Sequence, residues 1–430
     1  MRSYLFKNAT VLTMQTQEVL KNAFVSVRNG LIEKIAGEEI KGCYDEIIDC
    51  KQMTLMPGLY NTHTHVPMAI LRSVGEGLKL EDWLKLKIFP AEEKITKEIA
   101  YYGALLGIAE MVRFGTVSFS DMYFFSQEIA KAAAQSKMKA NIARCITVFD
   151  EKEPLKKLVS VAEAEDLVKE YHLSQNGNIK IDLSLHSVYC DTLSAMQYVR
   201  DWAKKSSLRT HIHLSETQKE NDDCFLKYRK SPTRVFSDEG FFDVPGIAAH
   251  CVYLSEEDME ILSEKGIVAV HNPVSNLKLA SGIAEVSEMK RKGMTVSLGT
   301  DGCASNNNAD LFEEIKMAAL CAKIKHKDSI GVSPYDVLLS ATLYGAAAQG
   351  REKCGMLKEG YSADMILLDT TALHFLPNND TLSDIVYCAG GQDVKMTMVN
   401  GEMLYRDGEF LTLDIEKIRG EVSRMAKKIF

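Results

Sequence analysis

The sequence has no Cys-x-x-Cys pair, no run of lysine and arginine longer than three residues, and no uncharged apolar stretch of about 18 residues. Each absence excludes a class of function. Ten cysteines spread singly along the chain read as reduced, mostly buried thiols in a reducing compartment, not as a disulfide framework. A formal net charge of −8 without a longer basic run argues against a nucleic acid polymer as partner and leaves small neutral or zwitterionic molecules. With no long apolar run, nothing is expected to span a membrane, and the first seven residues, Met1 to Lys7, lack the apolar core of a secretion signal. The expected location is the cytoplasm. Hydrophobic residues at 46% and charged residues at 26% of 430 positions suit one sizeable core, as in a large α/β barrel with a smaller module attached.

The two ends resemble each other, and the middle differs from both. Phe24–Ile35 consists of two β-rich runs around Asn29-Gly30, and Lys395–Tyr405 repeats the pattern around Asn400-Gly401, with Asp407-Gly408 as a further turn. Asn-Gly and Asp-Gly tolerate positive φ and so favour tight hairpins. Neither end has enough strands for its own core, so residues 1–58 and 360–430 are expected to pair into one small β-sandwich. Residues 59–359 alternate short β-like runs with helical patterns. The runs lie near Leu59–His65, Thr116–Asp121, Ala140–Val148, Ile179–His186, Leu208–Leu214, Ile247–His250, Ile267–His271 and Thr295–Asp301. Eight alternations predict an α/β fold, a (β/α)8 TIM-like barrel. The alternative is an open doubly wound sheet, weakened because no Gly-x-Gly-x-x-Gly follows the first strand.

Polar residues stand where the apolar runs stop: His65, Asp121, His186, His213 with Glu216, His250, His271 and Asp301. Parallel barrel strands all end at one mouth, so residues scattered in sequence become neighbours in space. His63-Thr64-His65 puts two imidazoles on one side of a strand about 6.6 Å apart. A lone His-x-His is unremarkable, but at the first strand end it reads as a pair of metal ligands. His213 in His211-Ile212-His213-Leu214-Ser215-Glu216 is the candidate third ligand; His211, one layer deeper, reads as a packed, hydrogen-bonded histidine. Asp301 in Gly299-Thr300-Asp301-Gly302 would be a turn residue if taken alone. Three neutral imidazoles and a carboxylate can hold a divalent cation and leave room for water. Such an ion lowers the water's pKa from 15.7 towards about 7. Asp301 can coordinate and also accept the water's proton.

Together, Pro57-Gly58-Leu59-x-Asn61-Thr62-His63-x-His65, His213-x-x-Glu216, Ala249-His250-Cys251 and Gly299-Thr300-Asp301-Gly302 resemble the amidohydrolase superfamily over nearly the whole chain. The longer strings His271–Gly282 and Asp301–Asn307 resemble its 5-methylthioadenosine/S-adenosylhomocysteine deaminases. The resemblance implies hydrolytic removal of the amino group at C6 of an adenosine-type nucleoside. Glu216 would protonate the adjacent ring nitrogen, His250 would orient the water, and Asp301 would pass its proton to the leaving amine. His63, His65, His213 and Asp301 would hold one divalent ion per subunit, Zn2+ in first place and Fe2+ as the alternative. A single ion is expected because the fourth strand ends Leu183-Ser184-Leu185-His186-Ser187 without the lysine or acid that bridges two metals.

For the substrate, the resemblance assigns Glu92 and His186 to the ribose, Arg144 to the 5′ tail, and Trp83 and Ser305 to the base pocket. Glu216 and Asp301 also meet the base. The loop Val148–Lys157 has no arginine where homocysteine-using members place one, and its Lys152, Lys156 and Lys157 offer no bidentate fork. Methylthioadenosine, adenosine and 5′-deoxyadenosine are thus the substrates in view, with S-adenosylhomocysteine open. The runner-up is deamination or dechlorination of another ring (guanine, 8-oxoguanine or an s-triazine), for which Glu92 and His186 would have no ribose to hold. A non-catalytic relative is the reading from another class, and it would be expected to have lost the ligands that this chain keeps. A homo-oligomer is left open.

Overall fold

The computed structural model describes residues 2–78, 80–327, 329 and 331–430. Its centre is a parallel barrel with strands Leu59–Thr64, Thr116–Tyr123, Lys139–Ile146, a fourth in two pieces (Ile179–Ile181 and Leu183–Leu185), Thr210–Leu214, Gly246–His250, Val268–His271 and Val296–Leu298. The fourth breaks at Asp182, whose N–H still donates to Ile142 O at 3.1 Å. Most strand positions are buried on both faces, as parallel strands covered by helices must be. The open-sheet alternative fails because the first and last strands meet. Thr62 Oγ1 donates to Leu298 O (2.8 Å), Thr300 N to Asn61 Oδ1 (3.0 Å) and Asp301 N to His63 O (2.9 Å). Gly299 makes this seam possible, since a Cβ there would lie 2.8 Å from His63 N.

Helices fill the gaps between strands. The longest, Lys97–Arg113, starts where Thr96 Oγ1 accepts Ile99 N; Leu193–Ser206 starts where Thr192 Oγ1 accepts Ala195 N. Glu256–Glu264 opens on a capping box of Ser255 and Asp258. Among the described residues no helix is long and apolar enough to cross a membrane.

The two ends join in one continuous nine-stranded hydrogen-bonded sheet. Its N-terminal strands are Tyr4–Leu12, Val19–Arg28, Leu31–Ala36, Glu46–Asp49 and Thr54–Pro57; its C-terminal strands are Met365–Leu368, Val394–Val399, Glu402–Arg406 and Glu409–Phe410. Thr54–Pro57 pairs antiparallel with Met365–Leu368 and joins the halves. The hairpin turns use positive φ at Asn29, Gly30, Asn400, Gly401, Asp407 and Gly408. Phe6, Val25, Met365 and Met398 share one buried cluster. The last helix, Ile415–Ile429, leaves this sheet. Its Ile418, Met425 and Ile429 are buried with Ile99 and Ala100 of a barrel helix, and Lys94 Nζ donates to Ile429 O.

Candidate active site

At the C-terminal mouth of the barrel, one ring nitrogen each from His63, His65 and His213 lie within 4.8 Å of one another, and so do ligand atoms of His63, His250 and Asp301. The strands aim these side chains, and hydrogen bonds on the far ring nitrogens fix their rotation. His65 Nδ1–H donates to Met122 O (2.6 Å) and His213 Nδ1–H to His186 O (3.0 Å). In each case Nε2 is left with its lone pair towards the centre, the tautomer a metal ligand needs. The two Nε2 atoms are 3.4 Å apart, a contact that two lone pairs do not favour. His63 Nδ1 pairs with His211 Nε2 at 2.9 Å, leaving His63 Nε2 buried without a hydrogen-bond partner. His211 therefore lies behind a site residue as a hydrogen-bonded core histidine.

Electrostatics favour the same use. Burial pushes the pKa of His63 down to about 3 and holds His65 and His213 below the ordinary imidazole value, so all three are neutral at pH 7. Burial alone would raise Asp301, but the imidazoles of His63, His65 and His250 hold it well below the usual carboxylate range. Its Oδ1 lies 3.5 Å from His63 Nε2 and 3.3 Å from His65 Nε2. An orphaned buried nitrogen, three neutral imidazoles and an ionised carboxylate around one point fit a divalent cation.

Glu216 and His250 flank the cluster. The Glu216 carboxyl is raised above its ordinary value by burial. Its oxygens make only long contacts, 3.5 Å to Ser281 Oγ and 3.8 Å to His250 Nε2. His250 Nδ1 lies 2.9 Å from Asn276 Oδ1. Burial works against its charge, but Glu216 and Asp301 outweigh burial and raise it. Ser215, His250, Cys251 and Asp301 all have left-handed backbone, φ +49 to +73. Such non-glycine geometry persists only where the surroundings over-determine it. Here it turns the chain at three strand ends and aims their side chains into the mouth.

A cavity of about 310 Å³ opens over the cluster, lined by His65, His213, Glu216, His250 and Asp301 together with Glu92, Trp83, His186 and Ser305. That size is at the low end of small-molecule sites. Tyr123 OH donates to Glu92 Oε1 at 2.5 Å, and burial raises the Glu92 carboxyl to about 6. Burial pushes the His186 imidazole down to about 4, so it is neutral at pH 7, and its ring centre lies 4.7 Å from that of His213. Trp83 Nε1 is tied to Val74 O. The Ser305 hydroxyl donates to Asp301 Oδ2 at 2.9 Å, so this serine braces the carboxylate as well as lining the wall. Arg144 is the exception. Its Nε pairs with Glu163 Oε2 at 2.7 Å and its guanidinium lies 5.2 Å from the Phe124 ring centre. The neighbouring Cys145 lines the cavity instead. Strand alternation sends the two to opposite faces, so Arg144 stands outside the group expected at the 5′ tail.

Sequence reasoning missed several supports. Ser275 Oγ donates to Asp301 Oδ2 at 2.6 Å. Glu220 accepts from the backbone N–H of Ser215 (3.1 Å) and Glu216 (2.8 Å). The available signal was Thr217-x-x-Glu220, a capping-box pattern, whose carboxylate reaches back beyond the cap here.

A model of the amidohydrolase family matches residues 54–404. The chain is 41% identical to a 5-methylthioadenosine/S-adenosylhomocysteine deaminase of Acetivibrio thermocellus, covering 99% of each chain. It is also 41% identical to a 5′-deoxyadenosine deaminase of Methanosarcina barkeri, over 100% of this chain and 99% of that one. Among solved structures, an adenosine deaminase from Xanthomonas campestris with bound zinc superposes with a TM-score of 0.94 at 30% identity, covering 99% of this chain and 98% of that one.

Proposed function

The chain belongs to the amidohydrolase family, and from that premise we propose that it hydrolytically deaminates an adenosine-type nucleoside to the inosine-type product and ammonia. The observation that carries the reading is the meeting of His63, His65, His213 and Asp301 beneath one cavity that Glu216 and His250 also enter. Those four residues would hold one divalent ion, which we assign as zinc in first place. When bound, it supplies the Lewis acidity that makes water nucleophilic at neutral pH.

The rest is done by side chains. Glu216, whose carboxyl burial raises above its ordinary value, gives its proton to the ring nitrogen next to C6 and so relieves the negative charge that builds on the ring as water adds. His250, fixed through Nδ1 by Asn276, orients the attacking water with Nε2. Asp301 accepts a proton from that water and delivers it to the departing amine; Ser275 and Ser305 hold its Oδ2 while it does so. As the C6–N bond breaks and the C6 carbonyl forms, the second proton of that water returns to Glu216. Each transfer is worth about 10²–10⁴ in rate. Glu92 offers two acceptor oxygens that suit a vicinal diol, with His186 as the second sugar contact. Trp83 walls the base.

The substrates in view are methylthioadenosine, adenosine, 5′-deoxyadenosine and S-adenosylhomocysteine; the relatives at 41% identity are named for all but adenosine, and the zinc-bound structure at 30% identity is named for adenosine. The test is a panel of these nucleosides plus guanine, followed by ammonia release and the purine absorbance change. Turnover of at least one nucleoside is expected. Turnover of guanine alone would overturn the reading, because Glu92 and His186 would then have nothing to hold.

A further inference from the structure

Glu216 must present a carboxyl to one ring atom, yet its own side chain is barely tethered, with nearest polar contacts of 3.5 and 3.8 Å. Its position must be set through the backbone, and the backbone there is unusual. Ser215 has φ +49, a left-handed turn that serine does not favour.

Both oxygens of Glu220 are committed to this turn, Oε1 to Ser215 N at 3.1 Å and Oε2 to Glu216 N at 2.8 Å. Glu220 is buried in the first turn of the helix Gln218–Tyr228. Its own N–H is held by Thr217 Oγ1 at 3.1 Å. A helix, its cap and a two-pronged carboxylate therefore grip the two peptide units from which Glu216 projects. We propose that Glu220 is a positioning residue for Glu216: it fixes the left-handed turn that places the proton donor against the ring, and makes no contact with substrate itself. The inference rests on the assignment of Glu216 as that donor.

The geometry predicts how the two residues couple. A carboxamide at position 220 can accept with only one of its two atoms, so one peptide N–H loses its partner and the turn relaxes. Misplacement of a reacting group by about 1 Å costs about 10²-fold in rate. With metal-loaded enzyme and methylthioadenosine, Glu220→Gln should lower kcat about 10²-fold, while KM and metal per chain stay within about threefold of the parent. In a Glu216→Gln background the same change should cost less than about threefold, because the group it positions is already gone. A merely structural role predicts equal cost in both backgrounds, and that result, or no loss of kcat in the parent, overturns the proposal. If Glu220→Gln does not fold, Thr217→Ala removes the hydroxyl that holds Glu220 N and should give a loss of about tenfold with the same background dependence; equal loss in both backgrounds again refutes it. A normal rate for Glu216→Gln alone is a different failure: it removes Glu216 as the donor, and the inference about Glu220 with it.

Discussion

The ion pair that ties the terminal sheet to the floor of the barrel can be removed with a worked consequence. Lys139 opens the third barrel strand, and Asp364 immediately precedes the sheet strand Met365–Leu368. Their side chains are 5% and 1% exposed and in direct contact. Asp364 also accepts from Tyr60 OH (2.9 Å), Asn400 N (2.8 Å) and Ser362 Oγ (2.9 Å). Lys139→Met keeps the stem and leaves a buried carboxylate with three neutral donors. Breaking a buried pair on one side costs about 3–5 kcal/mol, and the remaining donors place this case near about 3. At about 2.1 cal/mol/K per residue, the unfolding entropy of 430 residues is about 0.9 kcal/mol/K, so Tm should fall by about 3 °C. Adding Asp364→Asn removes the stranded charge and should recover at least about half of that loss. In the parent, burial raises the Asp364 carboxyl but Lys139 outweighs it and keeps the carboxyl below its ordinary value. Its stabilisation is present above the unfolded carboxylate pKa and fades as pH falls through the folded one. In Lys139→Met burial acts without that counter-charge, so the penalty is full at high pH and fades on acidification. The Tm gap between parent and variant should therefore shrink from pH 8 to pH 5. Thermal unfolding followed by circular dichroism on parent, single and double variants decides it. A double variant no more stable than the single, or a gap that widens at pH 5, refutes the reasoning.

His213→Ala should strip the metal and abolish turnover together, read by elemental analysis beside the ammonia assay; full turnover would remove His213 from the ligand set. If the Glu92 carboxylate holds the ribose diol, KM should rise as pH falls below about 6, where burial places its proton, and Glu92→Gln should have a high KM without that dependence between pH 5 and 8. Among the described residues no lysine or arginine lines the cavity, whereas Glu92, Glu216 and Asp301 do. The α-carboxylate of S-adenosylhomocysteine would find no counter-charge there, and its kcat/KM should be about 10–100-fold below that of methylthioadenosine; equal values would contradict this reading of the cavity.

Legibility in the sequence varied with the physics involved. The three hairpins could be read because only Asn, Asp and Gly sit comfortably at the positive φ their turns adopt. The barrel strands could be read because each is a short apolar run, and all but the third stop at a polar residue. Arg144 shows the limit of that pattern. In a strand buried on both faces, composition does not reveal which parity faces the cavity, and a shift of one residue exchanges Arg144 for Cys145. The helix Ile415–Ile429 shows another. Its apolar stripe states that one face is covered, but not by what, and the main cover is the barrel helix Lys97–Arg113.

Least legible is what the acids around the mouth do, even for Asp121, whose place at a strand end is plain in the sequence. Asp121 Oδ2 accepts Val66 N (2.5 Å) one residue after His65; Asp191 Oδ2 accepts His186 N (2.8 Å) and Ser187 N (3.2 Å); Glu220 grips Ser215 and Glu216; and Glu314 Oε2 accepts Val274 N (3.1 Å) in the short helix Pro273–Lys278 that carries Ser275 and Asn276. In sequence Glu220 and Glu314 look like ordinary acids in the first turn of a helix, placed for the dipole, and nothing marks them as buried. Yet each sits where a loop leaves a barrel strand and peptide N–H groups would otherwise lack partners. A buried carboxylate is costly unless donors surround it, and a strand-end loop offers unpaired donors, so each need answers the other. Barrel enzymes can vary the side chains that meet the substrate only while something else keeps these loops in place. In this chain that task falls to acids one layer behind the chemistry, which is why substitutions at Asp191 or Glu314 should impair turnover without touching substrate or metal.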